Sequence, residues 1–457
     1  MKPLFLVLFV LALSFSASAQ QQTIEGTWLG GLDVNGMTLH LAFHVASSPT
    51  GFTATLDSLD QGAKGIPISS ATQQGSDVAF DLPKLAASFK GKLGADFATI
   101  TGTWSQGGGS LPLVLKRVAA DAVLEQRRPQ NPAKPYPYRE EDVAYDNKSA
   151  AGVTLAGTLT LPSGKGPFPA AILIAGSGPH NRDEELLGHK PFLVLADFLT
   201  RHGIAVLRAD KRGIGKSTGL YSGATSADFA TDVEAALAYL KLRPEIDPHH
   251  IGLIGHSEGG IIAPMVAARN PGVAYVVLLA GSGVSGYDLM PEQIRLGNIA
   301  AGATPAQADQ AADFQRELLT LIRTEKDPAA LQKQLHDKLI FAMKEEQIAP
   351  TIAFSLGPWF RYFLSYDPAT DLRKLTCPVL ALNGSLDTQV SPTQNLPKIH
   401  AALQQAGNKH FETLELPNLN HLFQTAKTGS VSEYAQIEET ISPTALNKIA
   451  AWITANN

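Results

Sequence analysis

From Thr23 to about Val118, apolar residues come in short runs, many alternating with polar ones, as in Leu39-His40-Leu41-Ala42-Phe43-His44-Val45 and Leu113-Val114-Leu115. Turn residues part the runs: Asn35-Gly36, Pro49-Thr50-Gly51 and Gln106-Gly107-Gly108-Gly109. Short runs broken by Gly, Asn and Pro predict antiparallel strands. Residues 20–118 are therefore expected to form a small all-β domain, a barrel or a sandwich. Trp28 and Trp104, each closing a Gly-Thr-Trp triplet, are expected in its core. Catalytic signals are missing here, which leaves substrate placement or dimerisation as roles. Residues 119–141 read as a linker that Pro129, Pro132, Pro135 and Pro137 keep extended.

From about Asp142 the period changes. Ala170-Ala171-Ile172-Leu173-Ile174, Ile204-Ala205-Val206-Leu207, Ile251-Gly252-Leu253-Ile254, Tyr275-Val276-Val277-Leu278-Leu279 and Val379-Leu380-Ala381-Leu382 are continuous apolar runs of buried-strand length. Between the earlier runs lie helical patterns, with Phe229, Val233, Leu237 and Leu240 sharing one face. Strands separated by helices predict a parallel sheet with right-handed crossovers. Residues 286–371 turn helical and lack strand signals, and read as a cap inserted over the sheet edge. Phe411-Glu412-Thr413-Leu414-Glu415-Leu416 is the expected last strand, and a helix from Ser442 to Ile453 closes the 142–457 domain.

The chemistry gathers at Gly255-His256-Ser257-Glu258-Gly259, between a buried strand and an apolar helix. Strand, sharp turn and helix are the setting of a nucleophile elbow, which holds a serine hydroxyl at the strand's C-terminal edge. A second match, Gly215-Lys216-Ser217-Thr218-Gly219, follows charged Asp210-Lys211-Arg212 with no apolar helix after it, and reads as a loop. A serine hydroxyl needs a neighbouring base, and the imidazole that serves needs a carboxylate to fix its tautomer. Asp387 follows one predicted strand and His421 the last, giving the order Ser, acid, His. Asp367 and Asp371 precede their strand, while His400 and His410 lie in a helix and ahead of a strand. His256 is expected to pack beside the serine. For the oxyanion, the N–H of Glu258 and an N–H from Ala175-Gly176-Ser177-Gly178-Pro179 are the expected donors. Pro179 has none to give, which leaves Ser177 or Gly178.

Length and composition then narrow the setting. At 457 residues, two or three domains are expected, and a net charge of −5 offers no footprint for nucleic acid. Lys2, the apolar stretch Leu4 to Leu13 and Ala17-Ser18-Ala19 read as a signal peptide over residues 1–19, too short to span a membrane. That predicts an exported protein, periplasmic or extracellular. The single cysteine, Cys377, excludes an intramolecular disulfide and reads as a buried bystander. H-E-x-x-H and G-x-G-x-x-G are both lacking, and neither metal nor cofactor is expected.

The segment from Asp142 onward resembles the α/β-hydrolases. More narrowly, it is similar to bacterial carboxylesterases that carry an N-terminal β domain and a helical cap. The resemblance lies in Ala175-Gly176-Ser177-Gly178-Pro179 with Arg182-Asp183, Asp210 to Ser217, Gly255 to Gly259, Phe363 to Pro368, Cys377 to Gly384, and Asn420-His421. Gly26-Thr27-Trp28 resembles the opening of lipocalin-like folds. The family resemblance implies hydrolysis of small short-acyl esters through an acyl-enzyme, with Ser257, Asp387 and His421 as triad. It also admits a serine aminopeptidase on the same triad, its substrate amine held by an acidic or aromatic anchor, for which Glu292, Glu317 and Glu345 of the cap are candidates. A binding protein on a retired hydrolase fold would be expected to lack a triad member. A homodimer is compatible with all three.

Overall fold

The computed structural model describes residues 23–34, 37–59, 63–119 and 128–456. The expected signal segment, the Asn35-Gly36 turn and residues 120–127 of the expected linker lie outside them. The chain divides into two compact units, Met1–Glu125 and Gln126–Asn457.

In the first unit eight strands pair antiparallel in chain order: β1 (Gly26–Val34), β2 (Met37–Ser48), β3 (Gly51–Ser58), β4 (Ala63–Gln74), β5 (Asp77–Leu82), β6 (Ala87–Leu93), β7 (Thr99–Gln106) and β8 (Gly109–Val118). β1 also pairs with β8, setting Trp28 opposite Arg117, so the sheet closes into a barrel rather than splitting into a sandwich. Closure removes the open edges that would otherwise invite pairing with other chains. Phe43 stacks on Phe80 at 5.0 Å and meets the edge of Trp104 at 6.2 Å, filling the interior. Trp28 is fully buried and donates from Nε1 to the Ile24 carbonyl at 2.8 Å. Both tryptophans are core residues, as their triplets suggest.

The second unit is built on a sheet of eight strands: β9 (Arg139–Asp146), β10 (Thr154–Leu161), β11 (Phe168–Ile174), β12 (Ala205–Ala209), β13 (Ile246–His256), β14 (Val276–Leu279), β15 (Val379–Gly384) and β16 (Phe411–Leu416). Their order is β16-β15-β14-β13-β11-β12-β10-β9. The six strands from β16 to β12 run parallel; β10 pairs antiparallel with β12, and β9 antiparallel with β10. The sheet is thus mixed, and β9 starts inside the segment expected to be linker.

Helices α1 (Pro191–Arg201) and α11 (Pro443–Asn456) cover one face; α2 (Ser226–Leu240), α3 (Gly259–Arg269) and α10 (Pro392–Gln405) cover the other. Ile172 and Ile174 of β11 pack into one core, Ala171 and Leu173 into the other. A strand buried on both faces has no polar side, hence its unbroken apolar run. Ser442 accepts the Thr444 N–H at 3.3 Å at the start of α11, as its position predicts.

Between β14 and β15 come α4 (Gly286–Ala300), α5 (Pro305–Thr324), α6 (Pro328–Leu339), α7 (Glu345–Ser355), α8 (Pro358–Ser365) and the short α9 (Ala369–Leu372). The expected helical insertion has its own small core, including Leu319, Leu331, Leu335 and Ile348. None of the helices among the described residues is long and apolar enough to cross a membrane.

Candidate active site

Ser257 occupies the turn between β13 and α3 with φ at +52°, in the left-handed region that costs energy for a residue bearing a side chain. The turn closes because its neighbours lack side chains. A Cβ on Gly255 would overlap the Gly259 carbonyl, and one on Gly259 would overlap the Ile174 carbonyl at the end of β11. The N–H of Ser257 is held by the Leu279 carbonyl of β14 at 2.9 Å, leaving its side chain on the wall of a cavity.

Asp387 and His421 lie in the loops after β15 and β16. His421 Nδ1 is 2.9 Å from Asp387 Oδ2 and 3.1 Å from Oδ1. The backbone N–H groups of Gln389 and Val390 donate to Oδ1 at 2.9 and 2.8 Å, and fix the carboxylate. Both side chains are buried. A Cβ on Gly384 would overlap the Leu419 carbonyl, so that glycine is what lets the two loops meet. With Nδ1 committed to the carboxylate, Nε2 is the nitrogen left to exchange a proton. The His421 ring lies 4.9 Å, centroid to centroid, from the ring of His256, the residue before Ser257.

Three of the four rival acids and bases are occupied elsewhere. Asp371 accepts from Tyr366 Oη at 2.7 Å and pairs with Lys374; Asp367 accepts the Ala369 N–H; His400 packs on Phe411. Ser217, of the second Gly-x-Ser-x-Gly match, is buried in a loop and donates to the Asp210 carbonyl at 2.8 Å. Burial pushes the Cys377 thiol up to about 11, so it stays protonated.

Around the serine lies a charged framework that the sequence did not announce. Glu184, buried, accepts the Gly176 N–H at 2.6 Å and faces His256 Nδ1 at 3.0 Å, both through Oε1. His256 Nε2 sits 3.0 Å from the His421 carbonyl oxygen. One pair of side chains thereby ties the loop after β11 to the elbow and to the His421 loop. Arg182 pairs with Asp210 at 2.8 Å rather than with its neighbours in sequence, and Asp183 pairs with Arg208. On the other side, Lys211 Nζ donates to the Gly176 carbonyl at 2.5 Å and to Glu258 Oε2 at 3.1 Å. Of the two expected loop donors, Ser177 lines the cavity and Gly178 is not among its lining residues.

Burial opposes a charge on His256, but Glu184 beside it outweighs that and raises its pKa above the ordinary 6.5. Burial likewise opposes charge on Glu184, yet His256 and the Gly176 N–H hold its pKa below the ordinary 4.5. The His256 contribution to stability is therefore complete below 6.5 and lost as pH rises through its higher folded value. The Glu184 contribution is complete above 4.5 and lost as pH falls through its lower folded value. Melting wild type against His256→Gln across pH should give the largest gap between 4.5 and 6.5, shrinking above that window. A gap that does not change with pH would mean the pair is not charged.

The cavity at Ser257 has a volume of about 200 Å³. Ser177, Ser257 and Glu258 border it from the sheet side. The cap supplies Leu289, Met290, Phe354, Trp359, Phe360 and Phe363. The wall is predominantly apolar and suits a hydrocarbon group beside the serine.

Residues 135–422 match the model of the family Peptidase_S15, described as X-Pro dipeptidyl-peptidase (S15 family). That span contains Ser257, Asp387 and His421. Esterase EstD of Thermotoga maritima is 26% identical over 322 residues, covering 70% of this chain and 68% of that protein. Thiohydrolase apmlB of Arthrinium phaeospermum is 34% identical over 131 residues, 28% of this chain and 40% of that protein. Among solved structures, the α/β hydrolase GrgF from Penicillium sp. sh18 aligns with a TM-score of 0.44 at 20% identity, over 70% of this chain and 99% of that one.

Proposed function

The chain belongs to the X-Pro dipeptidyl-peptidase (S15) family, and on that premise we propose that it is an exported serine carboxylesterase acting on small short-acyl esters. The observation that carries the reading is the buried Asp387–His421 pair, whose imidazole lies against the elbow that presents Ser257. His421 Nε2 takes the proton of Ser257 as Oγ bonds to the ester carbonyl carbon. The N–H groups of Glu258 and Ser177 receive the oxyanion; Gly178 is set aside because it does not border the cavity. His421 returns the proton to the departing alcohol oxygen, leaving an acyl-enzyme on Ser257. Water then attacks that ester, with His421 again as base, and the acid is released. Export is read from Lys2, Leu4–Leu13 and Ala17-Ser18-Ala19.

Peptide cleavage on the same triad is the second reading, favoured by the family's description. It needs an acidic or aromatic anchor for the substrate amine; aromatic rings do border the cavity, and it is the acidic candidates that weigh against this reading. Glu292 is paired with Arg295, Glu317 with Lys338 and Glu345 with His336, and none of the three borders the cavity. Glu258 does border it, but its carboxylate is taken by Lys211, Ser226 and Trp359. This is why the ester reading comes first.

The test uses protein from the exported fraction, beginning at Gln20, on p-nitrophenyl acetate and butyrate beside dipeptidyl and aminoacyl p-nitroanilides. Turnover of the esters, with fluorophosphonate labelling of Ser257, is the expected result. Preference for the anilides would move the assignment to a peptidase. Intact protein that takes no label and cleaves neither class would leave a binding protein.

A further inference from the structure

Trp359 of α8 borders two hollows at once. On one side is the cavity at Ser257; on the other is a groove of about 270 Å³ between the α7–α8 segment and residues 221–224. Phe354 and Phe360 also border both, and Pro358 lines the groove, so its wall is largely apolar. Two independent contacts hold the indole between them. Its Nε1–H donates to Glu258 Oε1 at 2.7 Å, and its ring stacks on Phe363 with centroids 5.4 Å apart and planes within 3°. Glu258 is fastened in turn, accepting from Ser226 Oγ at 2.7 Å and from Lys211 Nζ at 3.1 Å. A carboxylate with three donors around it has little freedom to release the indole.

We propose that Trp359 is the residue that sets acyl length: a wall pinned to Glu258 that ends the catalytic cavity, with the groove behind it a latent extension for longer alkyl chains. The proposal rests on the esterase reading of Ser257. The walled cavity, at about 200 Å³, is smaller than the ~300–1,000 Å³ of clefts that enclose drug-sized ligands. An acyl group of a few carbons fits within it, and a longer one meets the indole. Without the indole, the cavity and the groove join, and a long chain can run along Phe354 and Phe360 while its carbonyl stays at Ser257. Since Glu258 is also the expected oxyanion donor, the same side chain that braces the elbow braces the wall.

The test is a p-nitrophenyl ester panel from acetate to octanoate on the full chain, read as the octanoate-to-acetate ratio of kcat/KM. One misfit methylene in an apolar pocket is worth ~10–200-fold, so Trp359→Ala should raise that ratio by at least about 10-fold. Trp359→Phe keeps a ring but loses the pin, and should raise it less. Adding Ala353→Trp to Trp359→Ala refills the groove and should take the gain away. Trp359→Leu serves if the alanine variant does not fold, with melting temperature as the check. An unchanged ratio in a folded Ala or Leu variant overturns the proposal, as does a gain that survives Ala353→Trp. Wild type that cleaves no ester and takes no fluorophosphonate brings down the esterase reading itself, a failure distinct from an active enzyme whose length profile ignores residue 359.

Discussion

Ser257→Ala should abolish turnover of p-nitrophenyl acetate and butyrate, with kcat falling on the order of 10⁶-fold, while the protein melts close to the wild-type temperature. The size of the loss follows from the chemistry: without Oγ there is no acyl-enzyme, and His421 has no hydroxyl to deprotonate. What remains is catalysis by oxyanion donors and substrate placement, ~10³–10⁴-fold over water. The fold should tolerate the change for local reasons. The elbow is held by the Ser257 N–H on Leu279 and by the Gly260 N–H on the Ser257 carbonyl, both main-chain bonds. Alanine keeps the Cβ, so the left-handed backbone at +52° is no worse for it than for serine. Esterase activity persisting in this variant, at a level no contaminant explains, would remove Ser257 from the mechanism. Loss of activity together with the fold would show only that the elbow had collapsed, and the melting curve separates the two.

What could be read from the sequence was whatever is decided locally. The elbow is legible because its requirements are adjacent: an apolar strand, two glycines, a helix. Asp387 and His421 are legible because each follows a buried strand whose apolar run is unmistakable. β9 was missed at its start because Arg139-Glu140-Glu141-Asp142 carries none of the apolar signal of a strand. It remains a strand because it is an edge with one partner, β10, where exposed charge is tolerated and even protective. Closure of the barrel was undecidable between barrel and sandwich, since the β1–β8 pairing joins residues about ninety apart. The charged framework was illegible for a deeper reason. Glu184, Arg182 and Lys211 stand in polar loops that look like any solvated surface, and only the folded chain shows that His256, Asp210 and Glu258 cover them. Arg182 does not pair with Asp183 or Glu184, because each of those carboxylates has a partner far away in sequence.

Asp387→Asn is the substitution that tests the remainder of the triad, and its effect can be argued atom by atom. Asp387 Oδ1 accepts the N–H groups of Gln389 and Val390, so the asparagine carbonyl is held on that side and its NH₂ replaces Oδ2. Oδ2 is the atom 2.9 Å from His421 Nδ1. An NH₂ there makes Nδ1 an acceptor and moves the ring proton to Nε2, the nitrogen that must take the proton from Ser257. Turnover of p-nitrophenyl butyrate should therefore fall ~10⁴-fold, about 5.5 kcal/mol of transition-state stabilisation. KM should change little, because no lining of the cavity is altered. Fluorophosphonate labelling of Ser257 should slow in parallel, since it draws on the same base. Melting should stay near wild type, because the two main-chain donors keep their acceptor and the pocket keeps its volume. Asp387→Ala would lose those two bonds as well, and should cost stability where Asn does not, by ~1–3 kcal/mol for each buried N–H left without a partner. A kcat within tenfold of wild type for Asp387→Asn would mean that His421 takes its tautomer from another group, and that the carboxylate after β15 only shapes the loop.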